Sequence, residues 1–258
     1  SMEGSFPNFM ETTNLDVIGM KSAENEKKAA AHSGMLILQS LCDVLFPQHC
    51  VSCGSWMLSQ STRFSCCSIC SMRWPDLRGS IGRILMQERL ATKWGQVGFR
   101  LRECDFLERQ IRDIKYRGDR KLAWHWGRWL ASGAEEVPFP LESLVLVPIP
   151  LHWRRQLNRG FNQAEWVAKG IASVWNVPIE PKLIGRAKHG ASLTGMNRKE
   201  RREKLDMTYF YREGVLEAPR NVLLVDDVLT TGTTFRVCAS ALDDSPHRVV
   251  GTLALALA

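Results

Sequence analysis

Between Asn221 and Thr234, four apolar residues, Val222-Leu223-Leu224-Val225, run straight into two adjacent carboxylates, Asp226 and Asp227. A short uninterrupted apolar run bounded by polar residues has the signature of a strand buried on both faces, as in a parallel sheet. Beyond the acidic pair come Val228, Leu229, Thr230, Thr231, Gly232, Thr233 and Thr234, and then Phe235, Val237, Cys238, Ala241 and Leu242 at helical spacing. The stretch therefore predicts a strand, a tight loop and the first turn of a helix. Backbone N–H groups and threonine hydroxyls converge in such a loop, and a helix N-terminus favours an anion. Paired carboxylates suit the hydroxyls of a sugar. A phosphorylated sugar satisfies both halves at once.

The rest of the chain repeats the pattern. Leu144 to Pro150 predicts a second buried strand, whose prolines force the chain out of the sheet. The basic stretch Leu151-His152-Trp153-Arg154-Arg155 follows, then Arg159-Gly160-Phe161-Asn162-Gln163-Ala164-Glu165, and a helix from about Asn162 to Trp175 with Val167, Ile171 and Val174 as its packing face. Strand, basic loop and helix form a second anion-binding geometry, although an exposed basic turn without a ligand reads the same way. Two helices are expected between Phe106 and Ala134. Ile111, Ile114 and Tyr116 end the first, and Leu122, Trp126, Trp129 and Leu130 give the second a core face. Strands are expected at Met207 to Phe210 and Val249 to Leu257. Alternating strands and helices indicate an α/β domain with a mainly parallel sheet from about residue 95 onward, flanked by helices.

Arg186 to Lys204 holds seven Lys or Arg residues against two Glu, interspersed with Gly190, Ser192 and Gly195. Its composition fits a mobile basic loop entering a polar helix, and a solvated charged face is the ordinary explanation.

A separate module precedes the α/β domain. Cys50-Val-Ser-Cys53-Gly54 and Cys67-Ser-Ile-Cys70 are two knuckles able to present four thiolates in a tetrahedron, as structural zinc requires. A redox dithiol and an iron–sulfur cluster are the rival readings. Cys66 could replace Cys67, but Cys67 with Cys70 repeats the spacing of Cys50 with Cys53. Cys42, Cys104 and Cys238 lie in apolar, helix-like surroundings and are expected in the core. Residues 1–33 read as a mobile tail. A short amphipathic helix from Gly34 to Pro47 joins the cysteine module through residue 75, and residues 76–94 connect it to the α/β domain at 95–258.

Of the 258 residues, 45% are hydrophobic, enough for one substantial core. No run approaches the ~20 apolar residues a membrane helix needs. Met35 to Phe46, the most apolar early run, is broken by Gln39, Ser40 and Asp43 and lies behind a polar segment, so it does not read as a signal peptide. A cytoplasmic location is expected, and eight cysteines there suggest metal or redox chemistry before disulfides. A net charge of +7 permits contact with phosphates or nucleic acid without demanding it.

Val225 to Thr234 resembles the phosphoribosyl pyrophosphate (PRPP) motif of type I phosphoribosyltransferases. Other marks narrow the resemblance to the ComF family of competence proteins. They are the Cys-x-x-Cys pair after Leu45-Phe46-Pro47, Lys115-Tyr116-Arg117-Gly118-Asp119, Val147-Pro148-Ile149-Pro150-Leu151-His152, and Arg159 to Glu165. The resemblance covers most of residues 36 to 258. It implies a type I phosphoribosyltransferase-like fold with an N-terminal zinc module, and an association with natural transformation by exogenous DNA. It further implies that Asp226 and Asp227 hold the ribose hydroxyls, and that Thr230, Thr231, Gly232, Thr233 and Thr234 cradle the 5′-phosphate. Leu151, His152, Arg154 and Arg155 would bind the diphosphate, with Mg²⁺ bridging diphosphate and ribose oxygens. Lys188, Arg198, Lys199, Arg201 and Arg202 would belong to a flexible hood over the substrate.

Phosphoribosyl transfer needs a charge clamp on the leaving pyrophosphate and a fixed sugar, and the implied site supplies both. It names no acceptor. Where 6-oxopurine enzymes carry an Asp before the Thr-Gly of this loop, this chain has Thr230, which argues against that acceptor class. A competing reading is an adaptor that handles imported single-stranded DNA beside a competence helicase, through its basic loop and tryptophans.

Overall fold

The computed structural model describes residues 48–57, 64, 66–134, 136–187 and 208–258, in two compact units, 1–67 and 68–258. The expected tail at 1–33, the helix ending at Pro47, Cys42, and the basic segment carrying Lys188, Arg198, Lys199, Arg201 and Arg202 lie outside the described residues.

In the first unit, β1 (Gln48–His49) and β2 (Trp56–Met57) pair antiparallel across a turn. The turn closes with the Gly54 N–H donating to Cys50 O at 2.7 Å and the Cys50 N–H donating to Ser55 O at 2.8 Å. Gly54 has φ +75°, a left-handed conformation that a side chain would strain.

The second unit begins with α1 (Ser68–Met72) and α2 (Ser80–Leu90). After β3 (Trp94–Arg100) comes α3 (Asp105–Arg112), which widens into one π-helical turn at Asp113–Arg117. Gly118 in the left-handed region stops that turn. The Asp119 carboxylate then accepts the Leu122 N–H and caps α4 (Arg120–Ser132). Next are β4 (Leu144–Pro148), α5 (Trp153–Arg159), α6 (Gln163–Trp175), β5 (Ile184–Arg186) and β6 (Tyr209–Tyr211). The unit ends with β7 (Asn221–Leu229), α7 (Thr233–Ser240) and β8 (Arg248–Leu257).

The main sheet has four strands, in the order β3-β8-β7-β4, and every neighbouring pair is parallel. β5 and β6 form a separate antiparallel ribbon. The α/β architecture with a parallel sheet flanked by helices is as expected. Val222 to Val225 are wholly buried, which is why β7 reads as an unbroken apolar run. One core layer joins Val222 and Leu224 to Met86 and Leu90 of α2 and to Phe235 and Cys238 of α7.

The Trp126 and Leu130 side chains are fully buried, confirming the core face read on that helix, and α4 packs closely on α6. That approach depends on Gly127 and Gly170, where a Cβ would run into Val167 O and Trp124 O respectively. Three local readings need correction. Val174 is exposed and lies off the packing face of α6, which is instead Ala164, Val167, Ala168 and Ile171. Cys104 is only half-buried, at the cap of α3. Residues 153–159, read as loop, are helical because His152 Nδ1 accepts the Arg154 N–H at one end and Gly160 adopts the left-handed conformation at the other.

Candidate functional site

Because β4 and β7 are neighbours, the loops that follow them are neighbours too. Pro148 stands level with Val225, and the Ile149 N–H donates to Val225 O at 2.8 Å. The chain thus leaves β4 beside the acidic pair. Around this point lies a cavity of about 290 Å³. Asp226 and Asp227 form its acidic wall, with Thr230 and Thr234 beside them. Lys115, Arg155, Arg159 and Arg186 bring four cations from three segments: the π turn, α5 and β5.

Local contacts position three of these cations. The π turn after α3 carries Lys115, whose Nζ lies 3.3 Å from an Asp227 carboxylate oxygen. Arg159, at the end of α5, donates from Nη1 to Gln163 Oε1 at 3.0 Å. Arg186 leaves β5 with its guanidinium 4.9 Å from the centre of the Tyr209 ring, and its Nη1 donates to Pro150 O at 3.4 Å. Asn162 Nδ2 donates to Ile149 O, tying the start of α6 to the loop after β4.

Asp226 reaches the cavity, but dense protein surrounds its carboxyl. Burial and then the Asp227 charge push that carboxyl well above the usual carboxylate range, while the Asp227 N–H, donated at 2.8 Å, and Lys115 oppose the shift without overcoming it. The Tyr209 phenol, which lines the cavity, is also pushed up, chiefly by burial. Burial lowers His152, reinforced by the positive charges of Arg186, Arg154 and Arg155.

Of the residues singled out from the sequence, Leu151, Arg155, Thr230 and Thr234 line the cavity with Asp226 and Asp227. Thr231, Gly232, Thr233, His152 and Arg154 do not. Thr231 and Thr233 share a hydroxyl–hydroxyl contact of 3.0 Å at the turn into α7, and Gly232 there has φ +76°. Lys115, Arg159, Asn162, Gln163, Arg186 and Tyr209 are additional lining residues. Lys115 and Arg159 belong to quoted motifs, so a signal existed for them. Arg186 and Tyr209 are brought in only by the β5–β6 ribbon.

The second candidate site is the cysteine cluster. The Sγ atoms of Cys50, Cys53, Cys67 and Cys70 all lie within 4.8 Å of one another. Ligands of a tetrahedral zinc at ~2.3 Å stand ~3.8 Å apart, and Cys53 and Cys67 are 3.9 Å apart, so the cluster is compatible with a metal ion. The Cys67 N–H donates to Cys50 Sγ at 3.3 Å. Burial raises the Cys50 thiol, but amide donors from Cys67, Cys53 and Ser52 outweigh it and bring the pKa down to about 6, favouring the thiolate that binds metal. Cys66 is buried outside the four, its Sγ 3.9 Å from that of Cys50.

Fold and clusters together define an α/β protein with a parallel four-stranded sheet and an N-terminal cysteine cluster able to hold a metal. No family model matches the chain. It is 34% identical to Competence protein F of Haemophilus influenzae over 38% of this chain and 43% of that protein. It is 28% identical to Competence protein ComFC of Bacillus subtilis over 54% of each chain. Against Competence protein ComFC of Streptococcus pneumoniae it is 32% identical over 58% of this chain and 61% of the relative. The matches span about half the length of these curated relatives. The chain is thus similar, over about half of their length, to competence proteins named F and ComFC. No helix among the described residues is long and apolar enough to cross a membrane.

Proposed function

We propose that the cavity between the β4 and β7 loops binds PRPP with Mg²⁺ and serves natural competence, with Asp226 and Asp227 as its central residues. One observation carries this reading: a carboxylate pair faces Lys115, Arg155, Arg159 and Arg186 across one small cavity. Four cations against two acids leave an excess of positive charge, which suits a ligand with several phosphates. The acidic pair suits sugar hydroxyls, and its hard oxygens fit Mg²⁺ held through water. The Thr230–Thr234 turn, opening α7, offers N–H groups to the 5′-phosphate. Arg155 has no polar partner among the described residues, so its guanidinium is available for the diphosphate. As a phosphoribosyltransferase (a glycosyltransferase), the protein would use these cations to stabilise the leaving pyrophosphate. The four cysteines hold structural zinc.

Isothermal titration with PRPP and Mg²⁺ tests the assignment. Saturable binding is expected, and it is lost in an Asp226→Asn/Asp227→Asn variant. No heat of binding from intact protein overturns the reading. The names of the relatives favour a second reading, an adaptor for imported single-stranded DNA acting with a competence helicase. That reading predicts gel shifts that weaken steeply with salt and survive loss of the acidic pair.

A further inference from the structure

Behind the threonine loop lies a second, larger cavity of about 540 Å³, separate from the PRPP cavity and walled by α2, α7 and the start of β8. Its volume falls in the range of small-molecule pockets, roughly 300–1,000 Å³. The apolar lining comes from Leu90, Phe235, Ala239, Leu242 and Val249. Lys93, Arg236 and Arg248 contribute positive charge, opposed by Asp243 alone. The Lys93 ammonium and the Arg248 guanidinium are exposed and make no ion pair among the described residues. His247 adds no charge at neutral pH. It is buried, which lowers its pKa, and its Nδ1 accepts the Arg220 N–H while Nε2 meets the Tyr211 hydroxyl at 3.3 Å.

Arg236 donates from Nη1 to Arg89 O and from Nη2 to Thr231 O, each at 3.1 Å. Arg89 in turn donates to Thr230 O at 2.8 Å. Leu90 lies against Gly232, where a Cβ would run into its Cδ2. Two side chains that line the rear cavity, Arg236 and Leu90, therefore also contact the threonine loop.

We infer that this rear cavity is an effector site for a small organic anion with a flat apolar body, and that its occupation acts on the threonine loop through Arg236. The body packs on Phe235, Leu90 and Leu242, and the anionic group meets Lys93, Arg236 and Arg248. An anion that engages the Arg236 guanidinium draws it off Thr231 O and loosens the loop. By linkage, loosening the loop changes rear-site affinity reciprocally. The binding stands independently of the PRPP assignment; only the meaning of the coupling rests on it.

The full chain is titrated with 8-anilinonaphthalene-1-sulfonate, a flat apolar anion, by fluorescence. One saturable site per chain is expected. Lys93→Ala/Arg248→Ala, both at exposed positions that leave the fold intact, raises its Kd roughly tenfold or more. Ala239→Phe, which fills the cavity, abolishes binding. Asp226→Asn leaves it unchanged, so failure of the PRPP assignment and failure of this one are read separately. No saturable binding, or binding with equal affinity in wild type and in both rear-site variants, overturns the proposal. Hydrogen exchange of a peptide covering residues 230–234 is expected to quicken when the probe saturates. Unchanged exchange overturns the coupling.

Discussion

Lys115 Nζ lies 3.3 Å from an Asp227 carboxylate oxygen, with the side chains only 22% and 14% exposed. The contact joins a π turn to the end of a sheet strand far along the sequence. One extra residue in the turn rotates Lys115 toward the sheet, as such widened turns do at many functional sites. The pair holds Asp227 in place at the end of β7.

Replacing Lys115 by Ala leaves Asp227 without its cation and the cavity without one of four positive charges. PRPP affinity is expected to fall about tenfold, equivalent to ~1.4 kcal/mol, and Lys115→Arg to recover part of it. Calorimetric titration of the three proteins measures this. Equal Kd values would leave Lys115 with a pairing role alone.

Asp226 has a carboxyl raised above its ordinary value of 3.8 by burial and by Asp227. The folded chain therefore holds a proton that the unfolded chain has released, over the window between the ordinary and the raised value. Stability from this group is full below 3.8 and is lost as pH rises through the raised pKa. Asp226→Asn removes the loss, so the variant is expected to be more stable than wild type by ~0.5–2 kcal/mol at pH 7. The difference shrinks toward pH 4 and is accompanied by loss of PRPP binding. Urea melts at both pH values decide it, and a variant less stable at pH 7 contradicts the burial argument.

Gly232→Ala combines a left-handed backbone with a collision against Leu90, whereas Gly214, at φ +71°, has open space around it. Gly214→Ala is expected to cost ~1 kcal/mol and Gly232→Ala ~2–3 kcal/mol. Equal urea midpoints would show that Leu90 gives way freely.

In the cysteine cluster, purified protein should contain one zinc per chain by elemental analysis. Cys53→Ser and Cys67→Ser are expected to lose it, and Cys66→Ser to keep it. A Cys66→Ser variant empty of metal would exchange the roles of the two neighbouring cysteines.

Strands buried on both faces announced themselves, and β4, β7 and β8 were legible as apolar runs. β3 was not, because Gly95, Gln96 and Gly98 interrupt its apolar pattern. These residues serve close packing: a Cβ at Gly98 would meet Leu255 O at 2.5 Å, and Gln96 is wholly buried with its Nε2 donating to Gly79 O. The helix at residues 80–90 was hidden too, since exposed Ile81 and Ile84 blur its apolar face. At the site, the acidic pair and Arg155 were legible because motif and chemistry coincide. The π turn that aims Lys115 and the ribbon that delivers Arg186 and Tyr209 depend on tertiary geometry, which no local spacing encodes.

The strand order also sets a schedule for making the protein. β3 is translated first among the sheet strands, yet within the sheet it pairs only with β8, and β8 also supplies one edge of β7. Until residue 248 and those after it have been synthesised, the strand at 94–100 has no ladder partner in the sheet. Nascent chains with such an open edge are prone to premature association. β3 is therefore the sheet strand that waits longest during synthesis for its ladder partner.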